Sequence, residues 1–168
     1  MHSETSRVLR MARIAIVAAI YIAISLAGAL AFGAVQMRFA EALVLLCFYQ
    51  KDYCFSMILG CAITNLFSPL GFYDVVFGTL ATALTVLAVN RCKSLLLACV
   101  FPVLGCVIVG LELYFLTGAP LVFTTLSVML GEFLVMAVCG YPLCRALERN
   151  RGFMKLIGAD RARIKHLQ

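Results

Sequence analysis

Three glutamates interrupt stretches of the chain that are otherwise apolar: Glu41 in a run opening at Phe39, Glu112 between Ser94 and Thr117, and Glu132 between Pro120 and Leu147. An acidic side chain in hydrocarbon costs about 2.5 to 3.5 kcal/mol at mid-helix on insertion scales, so such residues mark a cavity, a pathway or a partner. Carboxylates accept hydrogen bonds and attract cations. Gathered together, they would hold a small ligand that is cationic, rich in N–H donors, or both; as an acid and base pair they could instead serve an intramembrane enzyme. Asp74, Asn65 and Arg38 are further polar groups set among apolar neighbours. Arg38 and Glu41, three apart, can pair on one helix face.

Other chemistries find no residues to carry them. No glycine-rich loop ends in Lys followed by Ser or Thr, so nothing here hydrolyses ATP. No His-Glu-x-x-His, no Ser–Lys or Cys–His pairing within the apolar runs and no two-Asp dyad can be assembled. The cysteines, Cys47, Cys54, Cys61, Cys92, Cys99, Cys106, Cys139 and Cys144, lie inside or beside apolar runs without Cys-x-x-Cys spacing, and His2 and His166 sit in polar tails. That arrangement argues against a metal cluster. The thiols read as small hydrophobes. No catalytic residue, metal or cofactor is expected.

The elements that must position the carboxylates follow from composition. The 168 residues are 64% hydrophobic and 13% charged, with a mean hydropathy of +1.03. Water-soluble domains are about half apolar and a quarter charged, so the bilayer is the solvent here. The net charge of +6 then reads as Lys and Arg used for orientation, with no nucleic acid as partner. Six apolar runs predict an all-α integral membrane protein forming one domain over 1–168, with helices at about 11–32, 38–50, 53–68, 73–90, 94–117 and 120–147. Residues 148–168 form a basic cytoplasmic tail, expected on the membrane surface. Pro69 with Gly71, and Gly118 with Pro120, supply the turns.

The second run is too short to span alone, and the charge pattern decides whether it crosses, since cytoplasmic loops collect Lys and Arg. Six crossings with both termini in the cytoplasm put thirteen of the fourteen basic residues inside and leave only Arg38 outside. Arg38 then faces Glu41, Asp74, Glu112 and Glu132 in the outer half, a net charge of −3. On the first helix Ala15, Ala19, Ala23, Ala27 and Ala31 recur every four residues. Such a stripe lets another helix approach closely. Thr79, Thr82 and Thr85 form a polar-small stripe on the fourth helix, and Gly60, Gly78, Gly105, Gly110, Gly131 and Gly140 mark close packing. No inverted repeat is visible, which argues against a stand-alone secondary transporter.

Several ordered blocks resemble a known family. They are Val35-Gln36-Met37-Arg38-Phe39-Ala40-Glu41-Ala42-Leu43, then Gly60-Cys61-Ala62-Ile63-Thr64-Asn65-Leu66-Phe67-Ser68-Pro69 with Gly71, then Asp74-Val75-Val76-Phe77-Gly78-Thr79-Leu80-Ala81-Thr82, and Gly131-Glu132-Phe133-Leu134-Val135. In these the chain resembles the QueT group of substrate-binding S components of energy-coupling factor (ECF) transporters. It departs from the pattern at Ala40, where the family has Ser, and at Cys106, where Asn is expected. The resemblance implies an ECF S-component-like bundle in the bacterial plasma membrane, with its binding site facing outside. It would take up a queuosine precursor, a 7-deazaguanine such as preQ1 or the larger queuine, together with a T component and two ATPase subunits. An S component for another vitamin-like nutrient is the nearest alternative.

The residues agree with that implication. A guanine-like edge offers adjacent N–H groups that a carboxylate accepts in bidentate fashion, and a protonated amine arm would want a second carboxylate. The expected substrate-binding set is Arg38, Glu41, Asn65, Asp74, Glu112 and Glu132, with Phe39 and Tyr73, among the rings of Phe32, Phe72 and Tyr114, placed to stack on a flat base. Ala15, Ala19, Ala23 and Ala27 resemble the surface by which such proteins dock on their transport partners.

Overall fold

The computed structural model describes residues 2–28 and 38–159, with side chains from residue 7 onward. The expected roles of Ala31, Phe32 and Val35 to Met37, and the end of the tail, lie outside the described residues. All regular structure among the described residues is helical. In chain order the helices are α1 (His2–Ala27), α2 (Phe39–Tyr49), α3 (Tyr53–Asn65), α4 (Phe72–Arg91), α5 (Leu95–Thr117), α6 (Leu121–Glu148) and the short α7 (Arg151–Leu156). Four of these, α1 from Arg7, α4, α5 and α6, are long and apolar enough to cross a membrane, whereas α2 and α3 are shorter apolar helices.

The helices pack in an arc around α2. α1 packs on α3, α3 on α4, α4 on α5 and α5 on α6, while α2 touches all five. This explains why α2, apart from Glu41, is apolar and still short: Ala40, Val44, Leu45, Cys47 and Phe48 are almost wholly buried. A helix walled by protein need not match the bilayer's thickness, because its ends find partners inside the bundle. No disulfide joins the eight cysteines, all of them described residues, and five are buried in this packing, as small hydrophobes should be.

Two irregular helices meet at the centre. Residues Phe39–Leu45 of α2 wind as a 3-10 helix, and Val135–Gly140 of α6 widen into a π-helix against it. Runs of 3-10 longer than three or four residues are uncommon, and π segments cluster at functional sites. The first contains Glu41, and the second begins three residues after Glu132.

The spacing of backbones comes from glycine. A methyl group at Gly60 would meet the Tyr21 ring at 2.8 Å, and one at Gly140 would meet Leu45 at 3.1 Å. At Gly110 it would stand 2.8 Å from Cβ and 3.0 Å from Cα of Thr125. Since Thr125 backbone cannot swing away, Gly110→Ala should push α5 from α6 and destabilise the fold by about 1–3 kcal/mol, read as a lower unfolding midpoint in detergent. Gly118 ends α5 with φ of 70° and supplies the α5–α6 turn.

The first part of the basic tail folds back against the bundle, where a place on the membrane surface was expected. Met154 and Ile157 are buried in the core, Tyr53 donates to the Ile157 carbonyl at 2.8 Å, and Gln50 donates to Gly158 at 3.0 Å. Met154 and Ile157 thus find protein before they find lipid, whereas Leu156 is exposed.

Candidate functional site

Glu41, Asp74, Glu112 and Glu132 are all buried, at 8%, 4%, 2% and 4% exposure. They turn inward, into two adjoining chambers, and none faces lipid. The deep chamber lies between α2, α4, α5 and α6, lined by Arg38, Glu41, Thr82, Thr85, Cys106 and Glu132. Its free volume, about 40 Å³, is that of a narrow slot holding a few waters. The outer chamber, about 150 Å³, is lined by Ser68, Pro69, Leu70, Asp74, Glu112 and Leu113. Val109 belongs to both walls.

Local structure explains each placement. Tyr21 lies on Gly60 of α3, and its hydroxyl donates to Oε1 of Glu41 at 2.6 Å. A tyrosine in the apolar middle of α1 needs such a partner when buried, and that is the signal by which sequence reasoning could have found it. On α4, Thr82 and Thr85 bring hydroxyls to the deep chamber, with Thr82 donating to the Cys61 sulfur at 3.1 Å. Two of the three threonines of the α4 stripe therefore line the site, and Thr79 does not. Pro102 of α5, which lacks a backbone N–H, stands in the same wall.

The ion pair expected between Arg38 and Glu41 is replaced by another. Arg38 precedes α2 with φ of −87° and ψ of 83°, outside helical geometry, so three-residue spacing does not align it with Glu41. Its guanidinium lies 3.9 Å from Asp74 at the start of α4. Asn65 lines neither chamber; it donates to the Asp74 backbone carbonyl at 3.0 Å and to the Cys61 sulfur at 3.3 Å, pinning α4 to α3. Gly78 leaves room for that amide. Phe39 and Tyr73 are exposed and line neither chamber. The structure thus brings together Arg38, Glu41, Asp74, Glu112 and Glu132, sets Asn65 behind them as a positioning residue, and leaves the two rings apart.

The electrostatics are unbalanced. One cation, Arg38, faces four carboxyl groups. Both oxygens of Glu112 and Oε1 of Glu132 are buried without any hydrogen-bond partner. Buried polar groups in folded proteins are nearly always satisfied, and each exception calls for an explanation. Carboxylates held in this way accept N–H donors in pairs. Acid–base work would need a pair of carboxyls flanking one reacting atom, and Arg38 with Tyr21 instead ties two of the acids into fixed contacts.

On α1, Ala15, Ala19, Ala23 and Ala27 are all exposed, while Ala18, Tyr21 and Ser25 face the bundle. Internal packing leaves the alanine stripe uncovered.

A family model described as QueT transporter matches residues 11–149. The chain is 30% identical to a protein of Lactococcus lactis subsp. cremoris (strain MG1363) described as queuosine precursor transporter QueT, over 148 residues covering 77% of this chain and 87% of the relative. No solved structure matches.

Proposed function

The chain belongs to the QueT transporter family, and on that premise we propose that it is the substrate-binding S component of an ECF-type importer, taking up a queuosine precursor of the 7-deazaguanine class. It is a membrane transport protein and not an enzyme. In this reading α1 to α6 all cross the bacterial plasma membrane, α2 and α3 shielded by the longer helices, with both termini in the cytoplasm. The end of the bundle holding the α3–α4 and α5–α6 turns then faces outside, with the outer chamber as vestibule and the deep chamber behind it.

The observation that carries the proposal is that Arg38 and Glu132, one of whose carboxyl oxygens has no hydrogen-bond partner, line the same deep chamber. A guanine-type edge presents one carbonyl acceptor beside N–H donors. Arg38 is a fork of donors only, and Glu132 and Glu41 are acceptors. The two sets are complementary in their hydrogen bonding. Delivery then requires partners, because nothing in this chain binds ATP. A T component and two ATPase subunits would supply the energy, docking through the exposed alanines of α1.

A thermal-shift screen of deazapurines and unrelated vitamins against the purified protein tests the ligand class. A rise in unfolding midpoint confined to 7-deazaguanines supports it, since a ligand of the folded state stabilises by mass action. A shift given by an unrelated vitamin alone would assign the scaffold to another nutrient.

A further inference from the structure

The segment after α6 takes no part in either chamber. Asn150 carries the chain out of helical geometry, with φ of −94° and ψ of 96°, and its side chain accepts from the Phe153 N–H at 3.1 Å to start α7. α7 has six residues, and helices shorter than about 12–15 residues are marginal without tertiary support. It closes at Gly158, whose φ of 68° permits two bonds that end a helix: Gly158 N–H to the Lys155 carbonyl at 3.1 Å and Ala159 N–H to the Met154 carbonyl at 3.0 Å. The next two carbonyls, of Ile157 and Gly158, accept from Tyr53 and Gln50.

These supports fall on one short stretch of the bundle, at the end opposite the α3–α4 turn. Tyr49, the last residue of α2, donates to Glu148 at 2.9 Å, and Arg145 holds the same carboxylate at 2.7 Å. Gln50 lies in the α2–α3 turn and Tyr53 opens α3. Met154 and Ile157 join Tyr49 and Tyr53 in one buried cluster. Arg13 of α1 lies against Gly158, where a Cβ would stand 2.6 Å from its Nη1. A segment too short to fold without this seat makes and breaks its bonds together. α2 is thereby fixed at both ends: Tyr21 bonds Glu41 near its start, while α6 and the segment after it hold its last residue and the turn beyond.

We propose that residues 150–159 are a strap, hinged at Asn150, whose closure locks the α2–α3 turn and whose opening as a unit frees that end of α2, so that the strap controls how long a bound ligand is retained. The effect on retention rests on the reading of the deep chamber as the ligand site, because α2 carries Glu41 into that chamber; the lock itself rests on the contacts of the strap alone.

Hydrogen exchange on the purified full-length protein, as wild type, Tyr53→Phe and Ile157→Asp, tests the lock. Tyr53→Phe deletes one bond and keeps the ring, so folding is spared; exchange over 151–159 should quicken by roughly two- to tenfold, the range of a single hydrogen bond. Ile157→Asp sets an acid in an apolar seat and should quicken it by more than about tenfold. In both variants exchange over 50–55 should rise in step, while α4 and α5 keep wild-type protection. Faster exchange confined to 151–159 overturns the proposal, since the turn then stands without the strap. An increase spread evenly over all helices overturns it too, and so does wild-type exchange in Tyr53→Phe. Dissociation of 7-deazaguanine should quicken in the same order, more in Ile157→Asp than in Tyr53→Phe. Unchanged dissociation from a protein whose turn has been freed overturns the control of retention. If the wild type binds no 7-deazaguanine, the ring-site reading and the retention effect fall together, and the exchange pattern still decides the lock.

Discussion

Leucine at both Ala19 and Ala23 is expected to abolish uptake while leaving ligand affinity at its wild-type value. The two residues lie on the exposed side of α1, flanked along the stripe by Ala15 and Ala27, while the opposite side is occupied by Ala18, Tyr21 and Ser25. Lipid is as comfortable beside leucine as beside alanine, so the substitutions carry little penalty for folding. A partner helix is not so tolerant, because association in a bilayer depends on close backbone approach over small residues. Two added isobutyl groups would hold the partner away. Uptake of a labelled base by cells, co-purification of the coupling proteins, and ligand titration of the isolated variant separate the cases. Undiminished uptake would remove α1 as the docking surface, and lost affinity would place the stripe in ligand binding instead.

The second large effect is at Glu132. Glu132→Gln should weaken precursor binding by about 1.5 to 3 kcal/mol, a loss of roughly ten- to hundredfold. The amide matches the carboxylate in shape but turns two donors toward a ligand edge that itself donates. The same substitution removes a charge buried at 4% exposure with one oxygen unpartnered, so the empty protein should become more resistant to unfolding. Lower affinity with a higher unfolding midpoint is the signature of a group kept for its ligand. Glu41→Gln should lose affinity in the same range, although the bond from Tyr21 makes its stability gain smaller. Titration calorimetry in detergent reads both, and unchanged affinity removes the residue concerned from the site.

The acids were legible in the sequence because burying charge in an apolar run is so costly that it needs a purpose. Composition alone located Glu41, Glu112 and Glu132, and the charge pattern put Asp74 and Arg38 with them. What the sequence did not disclose was pairing. Helical spacing pointed Arg38 at Glu41, but Arg38 lies just before α2 begins, and its backbone turns it toward Asp74. Nor could periodicity separate a lining residue from its support, which is why Asn65 appeared as a ligand-binding group and proves to anchor α4.

Tyr21 was hidden by its position in a run that read as a simple membrane span. Only tertiary packing over Gly60 carries its hydroxyl to Glu41. Phe39 and Tyr73 were drawn in by composition near the ends of helices, yet nothing in their neighbourhood turns them inward. The short second run was the hardest element to place, since its length argued against a span and its charges argued for one. Its burial among five other helices accounts for its shortness: such a helix is selected for packing and for delivering Glu41, and its length follows from that.

The central claim is that buried carboxylates beside Arg38 recognise the proton-donating edge of a flat base. Calorimetric titration of the purified wild-type protein with 7-deazaguanine and with 7-deazaadenine tests it most directly, because the two bases share shape and stacking surface but present different hydrogen-bonding edges. The account predicts saturable binding of 7-deazaguanine at one site and no detectable heat from 7-deazaadenine. Equal affinity for the two bases, or preference for 7-deazaadenine, would contradict it.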